Sequence, residues 1–544
     1  MRKYGFVIGL ICWLCLVAAP LVADAPEGTL WWNERVFYQV FVRSFFDSDG
    51  DGVGDLRGLI EQLDYLNDGD LTTGADLGVT GLWLMPIMPA ASYHGYDVID
   101  FYDVAPEYGT LDDMRELIAQ AHARGIAVIL DLPINHTSTQ HPWFIASAAG
   151  DPAYADWYLW ADEDPGYRGP QGQVVWHERG GRYYYGVFWG GMPDLNLENP
   201  EVTAALYDVT RFWLEEVGVD GFRLDAIKHL IEDGRDQVHT EATRAWLRDY
   251  QNFIKSVNPN ALTVGEVWDT SFRARDYVRD GAVDMVFEFD LADAMLQSAR
   301  QGTNTAVASM QQRMVDLYPL NQFATFLTNH DQNRVMSVLA GNLGAARTAA
   351  SLLLTAPGVP FIYYGEEIGL TGVKPDERIR TPMQWDATPV TAGFTEAAQP
   401  WQPLASGHEN GVNVATQRSD PTSLLNHYRA LIDLRRSYPA LSLGDYHAVE
   451  ASPRSIYSFL RSGGEDTLLI LINLSGQPVE EYALRMRGGP FTSLVSAELL
   501  FADSLEGPVE IALPELTLNG DFAGYQPLPF LPAHSTTVIR LLAP

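Results

Sequence analysis

The chain has 544 residues, is 47% hydrophobic and 11% aromatic, and carries 70 acidic against 36 basic residues, a net charge of −34. That composition buries a large core and excludes a disordered chain, and the length fits three or four domains, or fewer if one is a large α/β barrel. So acidic a surface repels nucleic acid and anionic membrane, and neither is expected as a partner.

In chain order, Arg2 and Lys3 precede an apolar run from Phe6 to Ala19 that is short for a bilayer span, with small residues around Ala23 and Ala25. This reads as a signal peptide over residues 1–25, hence a secreted protein, extracellular or periplasmic. Cys12 and Cys15 both lie inside it, so the mature chain is expected to have no disulfide. Val36–Phe41 reads as a first buried strand. Asp47, Asp49, Asp51 and Asp55 then alternate with glycines, a spacing of oxygens that suits a hard cation such as Ca²⁺. The start resembles an EF-hand loop, but the twelfth position is Gly58 rather than Glu, so a helix-loop-helix is not expected.

Further β-like runs follow at Val79–Met85, Ala127–Leu132, Val219–Leu224, Leu262–Val264, Val283–Phe287, Phe323–Leu327 and Val359–Tyr363. Helical spacing over Leu111–Arg124, Pro200–Val217 and Trp246–Ser256 separates several of them, and the alternation predicts an α/β fold, a (β/α)8 TIM barrel. The connection after the third strand, residues 136–199, is rich in Gly, Tyr and Trp and is long enough to form a small inserted domain. From residue 441 to 544 the texture becomes short alternating β runs with turn signals, which predicts a C-terminal antiparallel β-sandwich after a catalytic unit over 26–440.

Active sites of such barrels form at the C-terminal ends of the strands. The third strand ends in Asp131, Asn135 and His136, the fourth in Arg223, Asp225, Lys228 and His229, the fifth in Glu266, and the seventh in Asn329, His330 and Asp331. For Arg223 and Asp225 alone, a structural ion pair competes with a site. Three carboxylates on one rim are what acetal cleavage requires: one attacks the anomeric carbon, a protonated one donates to the leaving oxygen, and a third holds the strained sugar. Clustered like charges also raise one carboxyl pKa, and Arg223, on the same strand face as Asp225, favours its ionised form.

The segments Asp131-Leu132-Pro133-Ile134-Asn135-His136, Gly221 to His229, Gly265-Glu266-Val267-Trp268 and Phe326 to Asp331, in this order, resemble the α-amylase family of glycoside hydrolases. The resemblance implies Asp225 as nucleophile, Glu266 as general acid/base and Asp331 as transition-state stabiliser. It implies Arg223, His136, His330 and Tyr96 around the sugar being cleaved, with His94 beside Tyr96 in Tyr93-His94-Gly95-Tyr96. It also implies that the Asp47, Asp49, Asp51 and Asp55 loop, with the Val53 carbonyl, is a calcium site. A second Ca²⁺ between barrel and inserted domain would take Asn135, Asp194 and the His229 carbonyl.

For substrate, Met192 to Asn196 resembles a group intermediate between oligo-1,6-glucosidases and neopullulanases, and Lys228-His229 resembles the leaving-group subsites of α-amylases. Gly95-Tyr96-Asp97 and Arg380 to Trp385 look more like α-glucosidases, with Asp97 as a cap on a chain end. Asp376 and Arg380 match a glucose-binding pair of α-amylases, although such a pair is often only a surface ion pair. The expectation is endo-hydrolysis of α-1,4 bonds in starch and maltodextrins by a monomer. An exo-acting α-glucosidase or oligo-1,6-glucosidase and a 4-α-glucanotransferase are the alternatives. A non-catalytic carbohydrate-binding relative is a remote one, since Asp225, Glu266 and Asp331 are all present.

Overall fold

The computed structural model describes residues 30–70, 72–319, 321–503 and 509–544. The expected signal peptide lies outside them. No described helix is long and apolar enough to cross a membrane.

Eight parallel strands close into a barrel in sequence order: Phe37–Val40, Gly81–Leu84, Ala127–Leu132, Gly221–Leu224, Leu262–Gly265, Met285–Phe287, Phe323–Thr325 and Val359–Tyr363. Closure is made by the first and last, with Phe37 opposite Phe361. All eight expected strands are present. The seventh stops at Thr325 rather than Leu327 because the chain beyond it turns to deliver Asn329 to Asp331 to the rim.

The strands are short, buried on both faces and rich in β-branched and aromatic residues, as a parallel sheet covered by helices demands. Inside the barrel, Phe37 stacks on Phe361 at 4.6 Å and packs with Trp83, Ile129, Val264, Met285 and Phe287. Gly81 makes this layer possible, since a Cβ there would lie 2.4 Å from the Phe37 ring.

Helices begin where the sequence offers caps. Thr110 accepts from the Asp113 amide in a reciprocal capping box at the start of Leu111–Ala123. Thr240 caps Glu241–Val257, which starts five residues ahead of the expected Trp246 because polar Glu241 and Arg244 mask the apolar period. The expected Pro200–Val217 helix is α only to Arg211; Phe212–Val217 widens into a π-helical turn, closed by Gly218 at φ 95°.

The connection over 136–199 is a small unit with a three-stranded sheet of Trp160–Ala161, Arg182–Tyr185 and Trp176–Arg179. Its two ends are clipped together by a bridge between His136 and Asp194 and by the Leu195 amide donating to the Asn135 carbonyl. The insertion is thereby rooted on the third strand end. After the helix Pro439–Leu443, seven antiparallel strands among the described residues form the C-terminal unit. They run as one continuous sheet rather than two separate ones. Asp445–Ser452 pairs with Ile456–Gly463 along its first half and with Ala483–Met486 along its second. The sheet folds over a core that includes Leu460, Leu471, Leu484, Phe522 and Ile539.

Candidate active site

The fourth strand turns Arg223 into the barrel mouth, where its side chain is fully buried. Its Nη1 donates to Asp131 Oδ1 at 2.8 Å and to Asp225 Oδ1 at 2.5 Å, and Nη2 lies 2.9 Å from Glu266 Oε2. One guanidinium therefore gathers carboxylates from the third, fourth and fifth strands. A planar fork of donors suits this; a point charge would not. Ala226, directly after Asp225, sits in the left-handed region at φ 51°, a strained backbone that aims its amide at Glu266 Oε2, 3.0 Å away.

Asp331 is held from the other side. Arg380 Nη2 bonds Asp331 Oδ1 at 2.9 Å and Asp376 Oδ2 at 3.2 Å, and its Nε donates to the His330 carbonyl. In this pair the Arg380 side chain is only 3% exposed and also ties Asp331, while Asp376 is 37% exposed at the surface end. Tyr96 lies parallel to His330, ring centroids 5.5 Å apart, and its hydroxyl reaches Asp131 Oδ2 at 2.9 Å. His136 is buried, with Nδ1 2.9 Å from Asn135 Oδ1 and Nε2 left unpartnered, and burial pushes its pKa down to about 3. A neutral ring with a free Nε2 lone pair can accept from a sugar hydroxyl.

His94 accepts from the Tyr96 amide, and Asp97, 2% exposed, accepts from the Ser92 amide and hydroxyl. Trp83, whose indole donates to Asp131 Oδ2 at 3.2 Å, and Gln39, 2.7 Å from His330 Nδ1, complete the floor. Sequence reasoning missed both, since each stands inside an unremarkable strand run; inward alternation on the first two strands was the available signal.

Charge is unevenly shared. Asp131, Asp225, Glu266 and Asp331 share two arginines, Arg223 and Arg380, with His330 Nε2 also 3.0 Å from Asp331 Oδ2. Burial raises Asp225 to about 6; Arg223 pulls it back, while Asp131 and Asp331 add to the rise. Burial also raises Glu266, again opposed by Arg223 and reinforced by Asp225 and Asp331. Asp331 goes the other way: burial pushes it up, but His330, Arg380 and Arg223 outweigh this and hold it below the ordinary carboxylate range. Two of the rim carboxyls are thus raised by burial and by their like-charged neighbours, while Asp331 is held as an anion.

Beyond Glu266 a cavity of about 350 Å³ opens, lined by Ala226, Lys228, Trp268, and Phe188 and Gln171 of the insertion. Lys228 Nζ donates to the Trp268 carbonyl at 2.6 Å, and Trp268 stacks on Phe289 and is 45% exposed. The His229 ring turns aside to the Gln237 carbonyl, edge-on to Phe188.

Asp47, Asp49 and Asp55 bring carboxylate oxygens within 4.8 Å of one another. Gly50 and Gly52, at φ 80° and 96°, let the loop double back, and Asp47 accepts from three of its amides and from Thr395. Asp51 is turned to the Val53 amide instead. Under the insertion, Asn135 donates to the His229 carbonyl at 2.8 Å, and Asp194 keeps one buried oxygen without a partner. Burial and then the neighbouring Glu232, which sequence reasoning missed, raise Asp194; burial raises Glu232 itself to about 7. Convergent oxygens and an orphaned buried carboxylate both fit a hard divalent cation.

Among known proteins, residues 39–444 match the family described as alpha amylase, catalytic domain. Alpha-amylase 3 of Dictyoglomus thermophilum is 40% identical over 450 residues, 82% of this chain and 85% of that protein. An oligo-1,6-glucosidase of Parageobacillus thermoglucosidasius is 32% identical over 526 residues, 82% of this chain and 91% of the relative. The crystal structure of the α-amylase from H. orenii superposes with a TM-score of 0.79 at 39% identity, covering 93% of this chain and 99% of that one. The four strand-end motifs, the closed barrel that presents them and these likenesses converge: the chain belongs to the α-amylase family of glycoside hydrolases.

Proposed function

We propose that the protein is a secreted, calcium-dependent α-amylase that hydrolyses internal α-1,4 bonds of starch and maltodextrins with retention of configuration. The observation that carries the chemistry is the pair of carboxyls on one guanidinium: Asp225 on Nη1 and Glu266 on Nη2 of Arg223. Retaining enzymes keep their two carboxyls roughly 5 Å apart so that one attacks carbon while the other serves the leaving oxygen. Asp225 attacks the anomeric carbon and Glu266 gives its proton to the departing glycosidic oxygen. Once Asp225 is esterified its charge is gone, so Glu266 acidifies and takes a proton from the incoming water. Asp331, kept anionic by Arg380 and His330, holds the distorted sugar, and His136 accepts from a sugar hydroxyl.

Internal rather than terminal attack is supported by two features. The space past Glu266 is bordered by a half-exposed Trp268, suited to stacking a further sugar. Asp97 is occupied by Ser92 rather than free to close the cleft around a chain end. The 40% identical relative named alpha-amylase agrees with this reading. Calcium would sit in the Asp47–Asp55 loop and at Asn135, Asp194 and the His229 carbonyl, neutralising acidic groups and fastening the insertion to the barrel. Export rests on the charged and apolar run before residue 25.

The test is the product profile from maltoheptaose, with the anomer followed by proton NMR. Mixed maltodextrins of α configuration bear the proposal out; glucose alone makes it an α-glucosidase. Chains longer than the substrate favour the second reading, a glucanotransferase, which Trp268 would serve as acceptor platform.

A further inference from the structure

The first barrel strand turns one side chain toward the catalytic rim that the chemistry above leaves without a role. Alternation along Phe37–Val40 sends Phe37 and Gln39 inward; Phe37 fills the lower layer, and Gln39, 1% exposed, reaches the floor of the site. Its position is set from both sides, opposite Trp83 and Tyr363 in register, with its carbonyl accepting from the Tyr364 amide. There its Nε2 lies 2.7 Å from Nδ1 of His330.

The protons of the surrounding network can be assigned by exclusion. His330 Nε2 is 2.7 Å from the Tyr96 hydroxyl and 3.0 Å from Asp331 Oδ2. Asp331 is anionic and only accepts. Tyr96 has a single hydroxyl proton, and Asp131 Oδ2, 2.9 Å away, takes it. The hydrogen between His330 and these oxygens must therefore sit on Nε2. Burial lowers the His330 pKa and favours the neutral ring, whose Nδ1 is then a lone pair in a buried place, and the amide N–H of Gln39 is the donor that meets it. The opposite tautomer would set an Nε2 lone pair against the Asp331 carboxylate, 3.0 Å away, and would face Nδ1–H with the Gln39 amide nitrogen unless that amide turned over.

We infer that Gln39 is a positioning residue for catalysis, holding His330 as the Nε2–H tautomer so that the ring donates to Asp331. The inference rests on the proposed role of Asp331 at the sugar being cleaved. It assigns the first barrel strand a part in the reaction although none of its atoms touches the reacting bond.

The test uses the full-length protein labelled with ¹⁵N-histidine, with His330→Gln to identify the signal. Wild type is expected to show protonated Nε2 and bare Nδ1. Gln39→Leu is expected to lose that pattern and to lower kcat on maltoheptaose by about 10- to 100-fold, the usual effect of removing a partner that orients a site group, with KM changed by less than about twofold. Gln39→Glu, whose carboxylate accepts and cannot donate, is expected to draw the proton to Nδ1 and to lose at least as much. A wild-type ring protonated at Nδ1 alone or at both nitrogens overturns the inference without any variant. So does a Gln39→Leu protein that keeps the wild-type pattern, whatever its rate; if that variant fails to fold, Gln39→Glu decides by the same signal. Should wild type fail to cleave maltoheptaose while the tautomer responds as expected, the substrate proposal falls and the role of Gln39 stands.

Discussion

Arg223 Nη1 lies 2.5 Å from Asp225 Oδ1, and the arginine is fully buried with Asp225 only 9% exposed. This is an ion pair with a surplus of anions around it, since Asp131 and Glu266 share the same guanidinium. An ionised carboxylate is costly in such a place, and the rise of Asp225 to about 6 expresses that cost.

Asp225→Asn is therefore expected to lose activity and gain stability together. Starch hydrolysis should fall on the order of 10⁴-fold or more, as when a catalytic nucleophile is removed elsewhere. The folded pKa lies above the unfolded value of about 3.9, so ionisation works against folding above pH 6, and that penalty fades as pH falls below both values. The variant should melt above wild type at pH 7 to 8, with the gap closing toward about pH 4. Substantial residual hydrolysis would refute the nucleophile assignment. A variant melting below wild type at pH 7 would refute the electrostatic account.

Calcium removal is the second expectation. Asp47, Asp49 and Asp55 in one loop, and Asp194 beside Glu232 in another place, are carboxylates brought together with little positive charge beside them. A cation at one hundred times its Kd stabilises by about 2.7 kcal/mol per site. Chelator should lower the melting temperature, and calcium should restore it. Asp49→Asn, at an exposed position that packs no core, should shrink the effect, and so should Glu232→Gln if the second position is filled. An unchanged melting curve under chelation would remove calcium from the description.

The catalytic rim was legible in the sequence because its chemistry is local. Asp225 follows Arg223 by two, Glu266 and Asp331 each end a β-like run, and the order of strands places them together. What escaped was set by contacts across the barrel. Gln39 and His330 are 291 positions apart and meet only because the first and eighth strands close the sheet. Glu232 sits in a polar stretch after the fourth strand, and only the folded insertion brings it to Asp194. Helix ends failed for a simpler reason: Thr240 is a good cap, but the charged turn after it hides the apolar face of Glu241–Val257. The inserted unit was visible as excess length, while the clip between His136 and Asp194 was not, since no short-range pattern marks it.

Gly81→Ala tests how tightly the floor is packed beneath the site. The added methyl would meet Phe37 Cδ1 at 2.4 Å, and Phe37 cannot retreat because it stacks on Phe361. Overpacking of this kind costs about 1–3 kcal/mol. Thermal melts should show the loss directly. Phe37 is two residues from Gln39, so kcat should fall as well; a variant as stable and as active as wild type would mean that the barrel interior has slack.

The last expectation separates bond cleavage from chain recognition. Trp268 and Lys228 border the cavity past Glu266, and neither side chain bonds Asp225, Glu266 or Asp331. Trp268→Ala removes an aromatic face that would cover a sugar ring, an interaction worth about 0.5–1.5 kcal/mol beyond area burial. Efficiency on maltoheptaose should fall by up to about tenfold, mainly through KM. Hydrolysis of α-maltosyl fluoride, whose leaving group is a single atom, should barely change. Lys228→Ala frees the Trp268 carbonyl and should move the cleavage position along the chain with a smaller loss of rate. Equal losses on both substrates would assign Trp268 to the chemistry instead, and no change on either would place the departing sugar elsewhere on the rim.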